Sequence, residues 1–394
     1  MRVGRSGRTT DVLVLGAGPA GLVLGNILQA AGIDTVILER RSREHIEQRA
    51  RAGFLAPGSV EILGEHGLDA GLRARGRTHQ TCEFRSAAGR FELSYGELGR
   101  REPHTVYPQQ FLVTDLVAEF LRRGGDLRFE TTAEQIGDHH GERPWVLARA
   151  ADGSEYPIAA RYLIGCDGAK GLARQTITVQ RSACEYDITW LALLAKAPPT
   201  TETVVYGVHS DGFAGQMPRS PDVTRYYLQC TPHEDPLAWA EERIWAELAQ
   251  RLGADRYGPL STGQIVERSL VQLRSEILDP IQQGRLFLAG DAASSISPSA
   301  AKGANLAIFA ANLLAQAIAP VIRHGDESAL QRYSSDCVPR IRRAHEFSNW
   351  MIGLLHPPAG PHAAFQRELQ HAQLHSLATS RRHQDFFAEN YVTI

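Results

Sequence analysis

The sequence predicts an α/β fold in which a doubly wound domain is interrupted by an antiparallel β-sheet domain and followed by a helical C-terminal region. First, a strand-like run of Val and Leu ends in Gly16, Gly18 and Gly21, and an apolar stretch and a second strand follow. Second, alternating segments bounded by Gly, Pro and Asp occupy the region from about 185 to about 275, a pattern typical of antiparallel strands. Third, a strand pattern returns at residues 285–289, so the α/β pattern lies on both sides of the β-rich region.

The three glycines stand at the G-x-G-x-x-G spacing, which predicts a Rossmann-like dinucleotide site. Gly16 permits the tight turn after the strand, Gly18 lets the backbone approach a pyrophosphate, and Gly21 lets helix and strand pack closely. The helix N-terminus offers N–H groups and a positive dipole end to the phosphates. Glu39 ends the second strand about twenty residues on, where an acid accepts a ribose hydroxyl. The motif alone leaves open a glycine turn without a ligand, and it does not distinguish FAD from a nicotinamide.

Length and composition exclude several functional classes. The 394 residues, of which 43% are hydrophobic, suffice for two or three domains around a large core. A net charge of -2 predicts no basic surface for nucleic acid. We find no apolar run as long as a membrane span and no apolar stretch of a signal peptide at the N-terminus, so we expect no membrane partner and a cytoplasmic location.

The five cysteines lie far apart and form no C-x-x-C pair. This spacing argues against a disulfide framework, a metal site and a dithiol reductase. We expect reduced, mostly buried residues at Cys82, Cys166, Cys184, Cys230 and Cys337.

The changes of pattern along the chain predict the domain bounds. We assign residues 9–80, 105–180 and 280–350 to the dinucleotide-binding domain, residues 81–104 and 181–279 to the β-sheet domain, and residues 351–394 to the helical C-terminal region. Within the first domain, the stretch from Pro108 to Arg123 is predicted to be a helix whose apolar positions are Phe111, Leu112, Leu116, Phe120 and Leu121.

Two later motifs indicate which dinucleotide binds. Asp167-Gly168 ends one strand, and Gly290-Asp291 ends another just before a helix expected after Pro298. A simple nicotinamide dehydrogenase needs neither motif. Together with the first glycine motif, and in this order, they resemble the class A flavoprotein aromatic hydroxylases, in which the Gly-Asp carboxylate holds the ribityl chain and the Asp-Gly segment lies near FAD and the nicotinamide. For Asp291 alone, a helix N-cap is the alternative.

The resemblance is strongest to the para-hydroxybenzoate hydroxylase family and extends from Asp11 to Tyr391. It implies FAD as the cofactor, NAD(P)H as the reductant, O2 as the co-substrate and a small aromatic acid as the substrate, hydroxylated through a flavin C4a-hydroperoxide. It places these further residues near FAD or the reductant: Arg49, Arg51, Gln109, Arg274 and Asn305. Members of this family are often homodimers, so a homodimer is expected by analogy only.

The choice of reductant depends on the basic turn after Glu39. Arg40, Arg41 and Arg43 supply positive charge there, which favours the 2′-phosphate of NADPH. A solvated basic turn explains the same residues, so NADH stays open.

A phenolate reacts faster at its ortho carbons than the neutral phenol does. Such an enzyme therefore needs a buried route for the phenolic proton, whose reference pKa is about 10. In the family a tyrosine pair and a histidine supply this route, and the matching positions are Tyr206, Tyr391 and His79. Pro298 also keeps its type and is counted with the catalytic positions. The alternatives are an ordinary strand tyrosine, a tail aromatic and one of fifteen histidines.

The substrate carboxylate is held in the family by an arginine, a tyrosine and a serine. Arg219 and Tyr227 match the first two, and a guanidinium grips a carboxylate through two charge-assisted hydrogen bonds. The serine position, two residues before the arginine, is Met217, whose thioether cannot donate a hydrogen bond. Losing one hydrogen bond to a charged group costs about 1.5–3 kcal/mol.

Other expected pocket positions also differ from the family. Phe54 stands where a smaller aliphatic residue is usual, Gly215 where a larger one is, and Ser297 and Ser299 add hydroxyl groups. We therefore expect a 4-hydroxybenzoate with a further ring substituent, such as 3-amino-4-hydroxybenzoate. Plain 4-hydroxybenzoate, converted to 3,4-dihydroxybenzoate, is the alternative if Met217 only repacks.

Three rival classes share parts of this pattern. A flavin-dependent halogenase would carry a W-x-W-x-I-P signature, and a flavin disulfide oxidoreductase would carry a cysteine pair; neither is present in the sequence. A non-catalytic flavin-binding protein is the distant alternative, and it would tolerate changes at Tyr206, Arg219 and Tyr391.

Overall fold

The computed structural model describes residues 8–49, 53–230 and 235–393, so the predicted cofactor residue Arg51 lies outside the described residues. Its first sheet has the strands β1 (Arg8–Leu15), β2 (Thr35–Leu38), β8 (Asp126–Arg128), β9 (Thr132–Gly137), β10 (Trp145–Arg149), β11 (Glu155–Gly165), β17 (Gln282–Gln283) and β18 (Leu286–Leu288). The order is β17-β18-β11-β1-β2-β8, and the pairs from β18 to β8 are parallel. Strands β10 and β9 extend β11 in antiparallel fashion. Parallel strands are covered on both faces, which is why β1 ends in an unbroken apolar run that is wholly buried.

The second sheet is almost entirely antiparallel. Its strands are β5 (Cys82–Ser86), β6 (Gly89–Leu93), β12 (Gln180–Lys196), β13 (Val204–Gly207), β14 (Ala214–Ser220), β15 (Val223–Cys230), β16 (Gln264–Asp279) and β19 (Ser294–Ser295). The order is β19-β16-β12-β15-β14-β13-β5-β6, and only β13 and β5 pair in parallel. Alternate side chains point to opposite faces, so this sheet separates two apolar clusters.

A small third sheet and the helices complete the described chain. The small sheet pairs β3 (Phe54–Leu55), β7 (His104–Val106) and β4 (Arg77–His79). The helices are α1 (Pro19–Ala30), α2 (Arg43–Gln48), α3 (Pro57–Glu65), α4 (Ala70–Arg75), α5 (Gln109–Arg122), α6 (Leu172–Thr176), α7 (Glu241–Arg251), α8 (Ala254–Tyr257), α9 (Gly303–His324), α10 (Ser328–Leu355), α11 (Ala363–Thr379) and α12 (Arg381–Val392). Helix α1 packs against α5 and α9, and α7 covers the face of the second sheet that carries Leu191 and Leu228.

The predicted α/β architecture is confirmed, with differences in detail. The helix expected between Pro108 and Arg123 is α5, but Phe111 and Leu121 are 40% and 36% exposed rather than buried. The helix expected directly after Pro298 begins at Gly303, because a short 3-10 turn over residues 298–300 comes first.

Parts of the expected domain division do not match the observed elements. Strand β19 falls in the segment assigned to the dinucleotide-binding domain, yet it pairs with β16 of the second sheet. Helix α10 runs through residue 350 without interruption. The division into domains therefore stays a prediction.

Helix α9 corrects the expectation that no apolar run is long enough to span a membrane. Its 22 residues are long and apolar enough by length and composition, and 61% of its most apolar window is buried. It packs against α1, α3 and α10, which is the position of a core helix. Of the cysteines, Cys82, Cys230 and Cys337 are buried, Cys166 is partly buried, and Cys184 is exposed.

Candidate active site

The glycine motif lies between β1 and α1, and two of its glycines are enforced by close contacts. Gly16 has a φ of +103°, and a Cβ there would lie 2.4 Å from the carbonyl oxygen of Cys166. A Cβ at Gly21 would lie 2.0 Å from the carbonyl oxygen of Gly16. Gly18 differs, because a Cβ there would meet nothing within 4 Å. The open space beside Gly18, at the N-terminus of α1, is where a pyrophosphate can approach the backbone.

The Glu39 carboxylate is buried beside this turn, where two backbone N–H groups hold it. One oxygen accepts from the N–H of Ala17 at 2.9 Å, and the other accepts from the N–H of Arg41 at 2.8 Å. A carboxylate oxygen has a second lone pair, so each can still accept a hydroxyl hydrogen. The side chain is thus fixed in orientation and able to accept from a ribose.

The three sequence motifs meet at the N-terminus of α1. A Cβ at Gly16 would lie 3.1 Å from the Cα of Asp167, and a Cβ at Gly290 would lie 3.0 Å from the Cβ of Ala20. Asp291, which follows Gly290, is partly buried. Residues that are more than a hundred positions apart therefore line one cleft.

The Asp167 carboxylate has one oxygen ready for a ligand. Its Oδ2 accepts from the N–H of Ala173 at 2.9 Å, while its Oδ1 is buried and has no hydrogen-bond partner among the described residues. Burial raises the pKa of Asp167, and the positive charge of Arg40 acts in the opposite direction. A buried acceptor without a donor fits a hydroxyl group of FAD. Gly168, which follows, has a φ of +84°.

The remaining predicted cofactor residues lie on three separate segments of the chain. The N–H of Tyr107 donates to the carbonyl of Gly53 at 2.7 Å, which joins the end of the arginine segment to the turn before Gln109. Gln109 is half-buried as the first residue of α5, Arg49 is exposed, and Arg274 is half-buried on β16 opposite Glu185.

The predicted tyrosine pair is assembled in the structure. The hydroxyl of Tyr206 on β13 lies 2.7 Å from the hydroxyl of Tyr391 on α12, and both side chains are buried. Burial raises the pKa of each phenol, so the pair is neutral and shares its protons by hydrogen bonding.

The structure does not bring His79 into this pair. Its Nε2 accepts from the N–H of Val204 at 3.2 Å, so its proton sits on Nδ1, which lies 2.7 Å from the hydroxyl of Tyr95. That hydroxyl in turn donates to the backbone carbonyl of His79 at 2.7 Å. Burial lowers the pKa of His79 to about 4. Both ring nitrogens are used within the chain, so in this structure His79 is a neutral, buried histidine that braces Tyr95. Its part in relaying the phenolic proton stays a prediction.

Two residues beside Tyr391, His104 and Lys302, were not predicted from the sequence. The ring of His104 lies edge-on to the ring of Tyr391 at 5.0 Å, and its Nδ1 is buried without a partner among the described residues. The Lys302 ammonium is buried and donates to the carbonyl of Tyr391 at 2.8 Å and to that of Thr393. Burial and the charge of Arg343 lower the pKa of Lys302 to about 7. No spacing in the sequence connects these positions to Tyr391.

Arg219 occupies an irregularity of the second sheet. The register between β14 and β15 shifts between Pro218 and Ser220, and such bulges re-aim the side chain of the extra residue. Among the described residues the Arg219 guanidinium has neither a hydrogen-bond nor an ion-pair partner. Of its neighbours, Tyr227 does most to favour the charged form. Burial lowers the pKa of Arg219. Glu267 also favours the charged form but does not hydrogen-bond to it, so this half-buried guanidinium can accept a carboxylate as a direct partner.

Three predicted site residues, Ser297, Pro298 and Ser299, lie together at the 3-10 turn before α9. The Ser299 hydroxyl donates to the backbone carbonyl of Ser348 at 2.9 Å and lies 3.3 Å from the Ser297 hydroxyl. The Ser297 carbonyl accepts from the Ser348 hydroxyl at 3.1 Å. These contacts tie the 3-10 turn to α10, so the expectation that both serine hydroxyls face a polar ring substituent is corrected. Pro298 is exposed at the start of this turn, and its carbonyl accepts from Ala301.

Asn305 and Phe54 contact each other, and Asn305 makes other contacts than those expected of a cofactor residue. The Asn305 amide donates to the carbonyl of Phe54 at 3.0 Å and accepts from the N–H of Ala56 and the hydroxyl of Ser59, each at 2.8 Å. It therefore braces β3 against α9 rather than offering its side chain to a cofactor. The Phe54 ring packs on His104 at 4.4 Å and on His79 at 5.0 Å, behind Tyr391.

The comparisons with known proteins agree with this geometry. The family model described as FAD binding domain matches residues 9–348. The chain is 34% identical over 386 residues to p-hydroxybenzoate hydroxylase of Acinetobacter baylyi, covering 97% of this chain and 95% of that protein. It is 27% identical to 6-methylpretetramide 4-monooxygenase of Streptomyces rimosus, covering 84% of this chain and 59% of that protein's length. The solved structure of p-nitrophenol 4-monooxygenase of Pseudomonas putida has the same fold, with a TM-score of 0.83 at 19% identity and coverage of 98% and 99% of the two chains.

Proposed function

Because this chain belongs to the FAD-binding family of class A flavin monooxygenases related to para-hydroxybenzoate hydroxylase, we propose that it hydroxylates a 4-hydroxybenzoate-type acid ortho to an activating ring substituent. FAD is its cofactor, and NAD(P)H and O2 are the usual co-substrates of the family. The single observation that carries the substrate class is the Arg219 guanidinium, which has no hydrogen-bond or ion-pair partner among the described residues and lies on β14, the strand paired with the β13 strand of Tyr206.

Each end of such an acid meets a matching group. Arg219 binds the carboxylate through its two-pronged guanidinium, and Tyr227 beside it offers a hydroxyl. At the other end, the Tyr206 hydroxyl hydrogen-bonds to the phenolic oxygen of the substrate. The phenolic proton leaves by a chain of shifts: Tyr206 takes it up while giving its own hydroxyl proton to Tyr391 across the 2.7 Å contact, and Tyr391 gives its own proton onward to solvent. The substrate oxygen becomes anionic, which raises electron density on the ortho carbons.

The cofactor is held by the cleft at the N-terminus of α1. Glu39 accepts from the ribose, the backbone at Gly18 faces the pyrophosphate, and Asp291 and the Oδ1 of Asp167 serve the hydroxyl-bearing chain. When bound and reduced, FAD activates O2 so that one oxygen atom is transferred to the ring. Arg40 and its basic neighbours favour NADPH as the reductant.

Different observations support the two candidate substrates, 3-amino-4-hydroxybenzoate and plain 4-hydroxybenzoate. Met217 removes a hydrogen bond to the carboxylate and supports a substituted acid, of which 3-amino-4-hydroxybenzoate is our first candidate. The serine hydroxyls add no support, since that of Ser299 donates to the Ser348 carbonyl and that of Ser297 lies 3.3 Å from the Ser299 hydroxyl. The 34% identity to p-hydroxybenzoate hydroxylase supports plain 4-hydroxybenzoate as the alternative. A homodimer and a cytoplasmic location stay predictions.

Product analysis tests the proposal. FAD-loaded protein is supplied with NADPH, O2 and a panel of hydroxy- and aminobenzoates, and products are identified by mass spectrometry. We expect one added oxygen on a 4-hydroxybenzoate-type acid, with faster NADPH oxidation for the amino-substituted acid than for the plain acid. The reverse order would select the plain acid. If no panel member stimulates NADPH oxidation or gains oxygen, the substrate class is wrong and a non-catalytic flavoprotein becomes the better description.

The Tyr391→Phe variant separates binding from chemistry. It keeps the ring in the aromatic cluster but removes the hydroxyl that contacts Tyr206, so we expect near-normal substrate affinity with a lower yield of hydroxylated product per NADPH oxidised. An unchanged yield would show that the phenolic proton leaves by another route.

A further inference from the structure

One strand of the second sheet lacks a side chain at the centre of the substrate pocket. Gly215 on β14 is directly opposite Tyr206 on β13 and directly opposite Tyr227 on β15. The three residues therefore form a row across the sheet and share the pocket face. The middle of this row, between the two tyrosines, has no side chain of its own.

Neighbouring side chains on the same strand cover that gap. A Cβ at Gly215 would lie 3.1 Å from the Cε of Met217 and 2.8 Å from the Cζ of Phe213. Residues 213, 215 and 217 alternate on one face of the strand, so the Met217 methyl reaches back over the glycine. Phe213 is fully buried, whereas Met217 is only partly buried and borders the open part of the pocket.

Met217 stands between Gly215 and Arg219 along β14. A strand rises about 3.3 Å per residue, so Met217 is roughly 7 Å from Arg219 along the strand. A benzoate whose carboxylate lies at Arg219 and whose hydroxyl lies at Tyr206 must pass its ring over this section. The Met217 side chain therefore faces the edge of the ring.

We propose that Gly215 and Met217 together determine whether the pocket accepts a substituent on the substrate ring, the glycine providing the space into which the methionine tip folds away. This inference rests on the proposed function and deepens it by assigning ring-substituent specificity to two residues. A thioether side chain suits the task because it is unbranched, with three rotatable bonds, and adapts to irregular gaps. With any larger residue at 215, the methionine tip is pushed toward the ring and fills the place of the substituent.

The test compares the dissociation constants of two acids in FAD-loaded protein, followed by the change in flavin absorbance on binding. The acids are 4-hydroxybenzoate and 3-amino-4-hydroxybenzoate, and the quantity is the ratio of the substituted to the plain constant. We expect Gly215→Ala to raise this ratio about tenfold, a factor that corresponds to 1.4 kcal/mol. The double variant Gly215→Ala with Met217→Ala should return the ratio to within about threefold of the wild-type value, because the displaced methyl is gone.

A second variant guards against misfolding at residue 215. Met217→Leu keeps an apolar side chain but is branched and shorter, so it cannot fold over the glycine; we expect it to raise the ratio as Gly215→Ala does. Thermal unfolding of each holoprotein identifies a variant that fails to fold.

The outcomes distinguish the inference from the proposed function. If wild-type holoprotein binds neither acid, the proposed substrate class fails and the inference fails with it. If both acids bind but Gly215→Ala changes both constants equally, or if its effect persists when Met217 is alanine, the substrate class stands and the role of the two residues is overturned.

Discussion

Arg219→Met is expected to weaken substrate binding strongly without destabilising the free protein. The guanidinium has no partner among the described residues, and its burial lowers its pKa, which shows that the surroundings disfavour the cation. Methionine has a similar length and needs no counter-ion. We therefore expect the unfolding free energy of the substrate-free protein to stay unchanged or rise.

The loss of binding follows from the two charge-assisted hydrogen bonds that Arg219 can make. Truncating one partner of a buried charge pair costs about 2 to 5 kcal/mol. At 1.4 kcal/mol per tenfold, this is an increase of about 30-fold to about 4,000-fold in the Kd of a 4-hydroxybenzoate-type acid. Titration of FAD-loaded protein, followed by flavin absorbance, measures the Kd, and thermal unfolding measures the stability.

Two controls make this prediction specific to charge. The neutral 4-hydroxybenzamide should bind wild type and Arg219→Met with Kd values within about threefold of each other, since it has no carboxylate to lose. Arg219→Lys keeps the charge but not the two-pronged guanidinium, so its Kd for the acid should lie between those of wild type and Arg219→Met. Equal losses for the acid and the amide, or a marked loss of stability in Arg219→Met, would refute the assignment of Arg219 to the carboxylate.

Three other predictions follow from buried groups. Gly16→Ala places a Cβ 2.4 Å from a carbonyl oxygen at a φ of +103°, so it should lower the melting temperature even without FAD. In Gly18→Ala the new Cβ meets nothing within 4 Å, so this variant should melt like wild type but retain less FAD on gel filtration. Burial lowers the pKa of His345 from 6.5 to about 4, so the unfolded chain binds the proton first and stability is lost as pH falls from 6.5 towards 4. His345→Leu should reduce the slope of unfolding free energy against pH in that window by up to about 1.4 kcal/mol per pH unit. An unchanged slope would contradict this. Glu39→Gln replaces an acceptor that binds two backbone N–H groups and should weaken FAD binding about tenfold or more in a fluorescence titration, with equal affinity refuting the role.

The sequence was most informative where the residues of one short segment restrict the local backbone on their own. The glycine spacing at Gly16, Gly18 and Gly21 predicts a turn, a close approach of a pyrophosphate and a helix contact. The turn at Gly16 and the close contact at Gly21 are present in the structure, and the backbone at Gly18 is open to an approaching group. The order of three such segments was enough for the fold, because each must lie at the end of a parallel strand.

Sequence reasoning failed where a side chain has several partners within reach. A serine hydroxyl is compatible with a ligand or with a helix, and the partner of Ser299 is Ser348, 49 residues further on. His79 matched the family by position, yet backbone and phenol groups of this chain occupy both of its nitrogens. His104 and Lys302 could not be found at all, since they approach Tyr391 only through the packing of α12.

The parallel pairing of β18 with β11 also determines when the cofactor site can form. Leu163 pairs with Leu286, so five of the eight strands of the second sheet, β12 to β16, are synthesised between these two strands. Contacts of such large sequence separation form slowly, because loop closure must precede their energetic gain. A chain emerging from the ribosome can fold β1, α1 and β2 early, but Gly290-Asp291 joins them only after β12 to β16 have been made. Flavin uptake is therefore a late event of folding, and free FAD should speed the final step of refolding rather than the first.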